Sequence, residues 1–279
     1  MRIVVLGSSV YSETGCAIAA HLAEQGHAPV GALVLSTLNR GTLLRKLGQW
    51  GVREVARYAR TKFVARGSGK STEVSNPHLG KMLAHENRFF RSLRKVGSVY
   101  GFPVVTCRDQ NSTASILQLK QWAPDLIIFT GGSILRKQLL DVPRLGVLNI
   151  HLGLLPEIRG MSSPEWSLLN HVPVGITIHY MDAGIDTGPI LQRSELPDVT
   201  RSKSLSDLRH RLIAFGVEKI GEVVTGLAQG TIAATPQTFL HSTVNQDSQF
   251  FVMHERLQAR AAERLANAHQ AFAVTMVNG

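Results

Sequence analysis

The sequence predicts an α/β fold in which a mostly parallel sheet is covered by helices, with a basic helical insertion and a helical C-terminal region. Five short apolar runs show no alternation with polar residues, which is typical of strands buried on both faces. Helical stretches separate most of these runs, which favours parallel pairing. The runs cover residues 2–6, 30–35, 103–106, 125–129 and 146–150.

The remaining elements follow from periodicity along the chain. Residues 15–25 carry apolar side chains at helical spacing, directly after the first strand. Residues 175–181 alternate as a half-buried strand, and 188–196 predict an antiparallel edge strand. Two amphipathic helices are expected at 204–230 and 255–272. We therefore expect one main domain at 1–200 and a mainly helical C-terminal extension at 201–279.

A basic insertion is predicted at residues 42–100, between the second and third strands, because this segment is far longer than an ordinary connection. Residues 40–95 contain fourteen Lys and Arg against three acids and account for the net charge of +10. Helices are expected at about 42–66 and 86–99, separated by a solvated loop. Gly69-Lys70-Ser71 in that loop resembles the end of a P-loop but lacks the upstream glycine and a preceding strand.

Several classes of protein are disfavoured by composition. Cys16 and Cys107 are too few for a disulfide framework and lack metal-ligand spacing, so we expect buried thiols, no metal and a reducing cytoplasm. The first apolar run stops at Gly7, far short of a signal peptide or a membrane span. The expectation is a cytoplasmic protein without integral membrane association.

Candidate chemistry lies at the end of the fifth strand. Asn149 and His151 are two residues apart, so their side chains point to the same side of a strand. Histidine suits proton transfer at neutral pH, and an asparagine amide can donate to a developing oxyanion. Asp186 lies in a glycine-rich loop that can bring a carboxylate to the histidine. Each residue alone is more often a loop or turn residue, whereas the three together suit acyl transfer.

The motifs around these residues resemble the signature of the folate-dependent formyltransferase family. Asn-x-His is followed by Leu-Leu-Pro, by Arg-Gly, and by Gly-Ile-Asp-Thr-Gly-Pro-Ile. The resemblance covers residues 100–200 closely and 1–40 loosely, and it extends to methionyl-tRNA, phosphoribosylglycinamide and sugar-nucleotide amine formyltransferases. It implies a Rossmann-like fold, 10-formyltetrahydrofolate as the donor, an amine as the acceptor, and catalytic roles for Asn149, His151 and Asp186.

The same resemblance implies where the two substrates bind. It places the folate pocket on the loop after the fourth strand and the loop before the aspartate. Weaker substrate contacts are expected from Arg159, from the Gly7-Ser8-Ser9 turn, which could cradle a phosphate, and at Gly153, where many relatives have a serine hydroxyl. The expected folate-binding residues are Thr130, Gly131, Gly132, Ser133, Ile134, Leu135, Met181, Asp182, Ala183, Gly184 and Ile185.

The acceptor stays open at this point. Methionyl-tRNA is disfavoured because the last 80 or so residues predict two helices and a short strand, whereas that enzyme resembles this core plus a β-barrel. The insertion disfavours glycinamide ribonucleotide. A nucleotide-linked amino sugar, an amino acid, or an amine on a biosynthetic intermediate remains, the last presented by an acidic carrier protein at the basic helices.

Two alternative functions were weighed. Basic amphipathic helices can bind a membrane surface or nucleic acid, although aromatic residues total only 6%, which disfavours nucleic acid. A folate-dependent hydroxymethyl or hydrolytic variant would use the same core. His179 is interpreted as a structural strand residue, and Trp166 either lines the acceptor site or packs in the core.

Overall fold

The computed structural model describes residues 1–36, 74–86, 88–237 and 249–277, and seven strands within them form one sheet. Two further strand pairs, β3 with β4 and β8 with β11, lie outside it. The strands are β1 (Ile3–Gly7), β2 (Gly31–Leu35), β3 (Ala84–His85), β4 (Arg88–Phe89), β5 (Val104–Cys107), β6 (Leu126–Thr130), β7 (Gly146–His151), β8 (Arg159–Gly160), β9 (Gly175–Tyr180), β10 (Ile190–Glu195) and β11 (Gln249–Phe250).

Helices cover the sheet, and most of the longer ones begin at a serine that caps them. Ser12, Ser92, Ser112 and Ser204 each accept a hydrogen bond from a backbone N–H in the first turn, which satisfies a group that the helix leaves unpaired. The helices are α1 (Glu13–Glu24), α2 (Gly80–Leu83), α3 (Leu93–Tyr100), α4 (Thr113–Trp122), α5 (Lys137–Leu140), α6 (Ser163–Leu169), α7 (Leu205–Gln229) and α8 (Glu255–Val277).

The strand order is β10-β9-β7-β6-β1-β2-β5. The five strands from β7 to β5 are parallel to their neighbours, whereas β9 and β10 are antiparallel additions at one side. The mostly parallel sheet and its antiparallel edge strand are thus confirmed. The half-buried interpretation of β9 is wrong, because five of its six residues are buried. The strand lies between β7 and β10, and α7 packs against it.

Both faces of the sheet are buried, as the unbroken apolar runs predict. Alternate residues of β1 show it: Ile3 and Val5 join a core with α1, α3 and α7, while Val4 and Leu6 join a second core with Leu119 of α4. Side chains of a strand alternate between faces, so an apolar residue is needed at every position. The sheet is therefore the rigid centre from which the loops extend.

Helix α7 fixes the position of β7. A Cβ atom at Gly216 would come within 2.6 Å of Ile150 Cγ2, so only glycine permits this approach of helix to strand. Glu165 of α6, which is 2% exposed, accepts hydrogen bonds of 2.6 and 2.7 Å from Arg209 of α7. Within the described residues, none of the helices is both long enough and apolar enough to cross a membrane.

The end of the predicted insertion differs from expectation. The helix expected at 86–99 begins only at Leu93, because residues 84–89 form the β3–β4 pair, with Glu86 at a positive φ of 52°. Leu79 and Leu83 are fully buried in the core that includes α1. The basic helices expected at 42–66 and the loop at 67–71 lie outside the described residues.

Candidate active site

The carboxyl ends of β1, β6 and β7 meet at one edge of the sheet, and the predicted residues gather there. Gly7 is paired with Thr130, and Phe129 with Asn149. Asn149 lies opposite His179 of β9, and its Nδ2 is 3.2 Å from His179 Nε2. Parallel sheets generally bind ligands beyond the carboxyl ends of their strands, so this edge is the candidate site.

Asp186 lies between two imidazole rings. Its Oδ2 is 3.4 Å from His151 Nδ1, and its Oδ1 is 3.6 Å from His179 Nε2. The backbone N–H of Gly160 donates to Oδ2 at 2.8 Å. Burial opposes ionisation, but the contact with His179, the charge of His151 and the Gly160 N–H outweigh it and lower the pKa of Asp186 to about 2. At neutral pH this side chain is a carboxylate.

His151 is 6% exposed, and the hydrogen bond of one nitrogen defines its neutral form. Nε2 donates to the Ile158 carbonyl at 2.7 Å; a carbonyl only accepts, so Nε2 carries the proton. Burial lowers the pKa of His151, and the opposing effects of Asp186 and the Ile158 carbonyl do not cancel this. The free nitrogen of the neutral ring is therefore Nδ1, facing the carboxylate. A proton taken up there is stabilised by Asp186.

His179 is the site residue that the sequence interpretation missed. It is 2% exposed, and its Nδ1 donates to the Tyr180 carbonyl at 2.8 Å, which is the structural hydrogen bond expected of it. Its Nε2 additionally contacts Asn149 and Asp186. The available signal was its position on the strand that precedes the Asp186 loop, but only the β7–β9 register brings it to Asn149.

The loop 130–135 follows β6 and is held by Gln110. Gln110 is fully buried, donates to the Gly7 carbonyl at 3.1 Å and accepts from the Ser133 N–H at 3.0 Å. A Cβ at Gly132 would lie 2.1 Å from Gln110 Oε1, and the φ of this glycine is +152°. Ile134, in contrast, is 90% exposed. The loop thus combines a fixed backbone with an exposed apolar side chain.

The loop 181–185 lies beside it, because Met181 and Leu135 pack in the same apolar cluster. Asp182 Oδ1 accepts from the Gly184 N–H at 3.0 Å and from Thr187 Oγ1 at 2.6 Å, so its carboxylate is engaged within the loop. Ile185 is 55% exposed. The two loops together present apolar side chains and backbone polar groups, which suit a flat heterocycle with polar edges.

The weaker substrate-binding predictions have mixed placements. Arg159 is only 8% exposed, so little of it is accessible to a ligand. A Cβ at Gly153 would lie 2.9 Å from His151 Nε2 and 3.1 Å from the Ile158 carbonyl; this glycine leaves room for their hydrogen bond. Ser8 lies beside Gly131, and Ser9 Oγ accepts from the Tyr11 N–H at 3.1 Å. The turn therefore borders the loop after β6.

Trp166 packs against the C-terminal extension. Its ring stacks on Phe250 with centroids 4.7 Å apart, and its Nε1 donates to the Phe251 carbonyl at 3.0 Å. Phe250 is in β11, which pairs with Gly160 of β8, the residue whose N–H reaches Asp186. Packing is therefore the observed role of Trp166, at a point where the extension touches the site.

A carboxylate between two imidazoles, with a side-chain amide beside them at the carboxyl edge of a parallel sheet, defines an α/β protein equipped for acyl transfer. A model described as "Formyl transferase" matches residues 1–224. The chain therefore belongs to the formyl transferase family, and the resemblance seen in its motifs is confirmed.

Curated relatives share part of the chain. The methionyl-tRNA formyltransferase of Pelobacter propionicus is 33% identical over 147 residues, which are 52% of this chain and 46% of that protein. The enzyme of the same name from Geobacter metallireducens is 31% identical over 179 residues, 63% of this chain and 57% of that protein. The chain thus matches only about half the length of these relatives.

Solved structures share the fold over more of the chain. Glycinamide ribonucleotide transformylase 1 from Symbiobacterium toebii has a TM-score of 0.54 and 18% identity, covering 85% of this chain and 94% of its own. A sugar N-formyltransferase from a Shewanella species has a TM-score of 0.54 and 14% identity, covering 95% of this chain and 87% of its own. At such identities the likeness concerns the fold.

Proposed function

We propose that this protein transfers a formyl group from 10-formyltetrahydrofolate to a primary amine of a small molecule. The observation that carries the proposal is the position of Asp186 between His151 and His179, next to Asn149. Formyl transfer to an amine needs a group that accepts a proton and a donor for the oxygen on which negative charge develops. The site offers both.

His151 and Asp186 handle the proton. The neutral ring of His151 accepts a proton at Nδ1, 3.4 Å from Asp186 Oδ2, either directly from the amine or through a water. The carboxylate stays ionised because its pKa is about 2, so it stabilises the imidazolium that forms. The same proton is then returned to the leaving nitrogen of the donor.

Asn149 stabilises the developing oxyanion. Its amide nitrogen has two hydrogens, and one of them points at His179 Nε2 over 3.2 Å. That contact orients the amide, so the second hydrogen is available to the oxygen of the formyl group. A donor oriented in advance stabilises the transition state without reorganisation during the reaction.

The two loops at 130–135 and 181–185 fit the folate donor. When bound, 10-formyltetrahydrofolate supplies a formyl carbon that is open to attack by the amine. Ile134 and Ile185 offer apolar contact to its ring system, and the backbone groups of Gly131 and Gly132 lie at the end of β6. These features agree with the residues that the motif resemblance implies.

The C-terminal region supports a small-molecule acceptor. Between 201 and 277, the described residues hold α7, α8, a short 3₁₀ turn, an isolated bridge at Thr235 and the two-residue strand β11. This differs from the β-barrel that the resemblance assigns to enzymes acting on methionyl-tRNA. Nucleotide-linked amino sugars, amino acids and amines of biosynthetic intermediates are the proposed acceptors.

A formylation assay tests the proposal. The protein is incubated with 10-formyltetrahydrofolate and, separately, with each acceptor class or with methionyl-tRNA, and products are analysed by mass spectrometry. We expect an N-formyl product from one small-molecule class, lost in Asp186→Asn and retained in Asp141→Asn, a matched change at an exposed surface carboxylate. Formylation of methionyl-tRNA alone, or transfer of another one-carbon unit, would contradict the proposal.

A further inference from the structure

The loop that carries Asp186 needs support from outside. Asp186 has a φ of 54°, a left-handed conformation that is unfavourable for residues other than glycine and persists where neighbouring structure holds it. Within the loop, Asp182 binds Gly184 and Thr187, but these contacts do not involve the backbone of Asp186.

The segment after α7 returns to this loop. Helix α7 ends at Gly230, which caps it in the left-handed conformation with a φ of 71°. The chain then runs back along β10, where Thr235 and Ile190 exchange two backbone hydrogen bonds of 2.8 Å. This pairing places Gln237 next to the Asp186 loop.

Gln237 bridges the backbone on both sides of Thr187. Its Nε2 donates to the Asp186 carbonyl at 3.0 Å and to the Gly188 carbonyl at 2.7 Å. Both hydrogens of the amide are thereby used, and the planar amide fixes the spacing of the two carbonyls. The side chain of Asp186 can then point at His151 and His179 without its backbone rotating away.

We propose that Gln237 is a positioning residue for Asp186, so that the C-terminal extension completes the active site. Gln237 lies beyond residue 224, where the match to the family ends. The inference rests on the proposed formyl transfer, since it acts through the carboxylate that this reaction uses. A displaced carboxylate weakens the chemical step more than substrate binding, because catalysis depends closely on geometry.

The test compares Gln237→Ala with Gln258→Ala. Gln258 is a matched control, since it is also a half-buried glutamine of the extension whose Nε2 donates to one backbone carbonyl, that of Met253, at 2.9 Å. We expect Gln237→Ala to lower kcat about 10-fold with little change in KM for either substrate, and Gln258→Ala to change neither. Gln237→Glu keeps the shape but removes the donors, and should behave like Gln237→Ala.

An NMR titration of the histidine rings provides a readout that is independent of turnover. Loosening Asp186 removes an effect that raises the pKa of His151, so its titration should move to lower pH in both Gln237 variants and not in Gln258→Ala. An unchanged titration and unchanged kcat in folded Gln237 variants overturn the inference. If the unaltered protein transfers no formyl group but the titration still moves, the proposed function fails and the positioning role stands.

Discussion

The cluster of Asn149, His151, His179 and Asp186 differs in its physical environment from the two donor loops beside it. His151 and His179 are 6% and 2% exposed, whereas Ile134 and Ile185 are 90% and 55% exposed. Charges act strongly in a buried site because water does not screen them, while exposed apolar side chains gain free energy only when a ligand covers them. We therefore expect the cluster to determine kcat and the loops to determine KM.

The largest expected effect comes from the cluster. His151→Ala, Asn149→Ala and Asp186→Ala should each lower kcat by about 10²- to 10³-fold, the usual loss when an oxyanion donor or proton-transfer group is removed. Steady-state kinetics of formyl transfer measures it, with the KM for the donor as the internal comparison. Near-normal kcat in all three variants would remove the distinction between the two regions.

A smaller effect, on KM, is expected from the loop after β6. Gln110→Ala removes the acceptor of the Ser133 N–H and the donor to Gly7, so the loop loses its fixed conformation. The KM for the donor should rise about 10-fold, equivalent to about 1.4 kcal/mol, with kcat nearly unchanged. Gln121→Ala, an exposed position on α4, is the control. A fall in kcat instead would show that this loop also orients the reacting groups.

The smallest effect concerns stability in acid. The pKa of Asp186 is about 2 in the folded protein against an ordinary value of 3.8, so ionised Asp186 stabilises the fold at pH values above about 4. That contribution, on the order of 2 kcal/mol, is lost as the pH falls from about 4 towards 2. Urea unfolding of the wild type and Asp186→Asn at several pH values should show a difference that shrinks below about pH 4. A constant difference would contradict the assigned pKa.

Local patterns predicted the sheet and three of the four cluster residues. Asn149 and His151 were recognisable because both follow the apolar run of β7, and Asp186 because of its glycine-rich loop. His179, Gln110 and Gln237 were not. Their partners lie 30, 103 and up to 51 residues away in the chain, and strand register and loop packing decide such contacts.

The sequence by itself determined the α/β class, the catalytic strand and the family motifs, since apolar runs, capping serines and turn glycines act over a few residues. Tertiary structure decided which groups meet at Asp186. The β7–β9 pairing brought His179 to Asn149, and the return of the chain after α7 brought Gln237 to the Asp186 loop. Such contacts depend on the free energy of the whole packed chain, and no short segment encodes them.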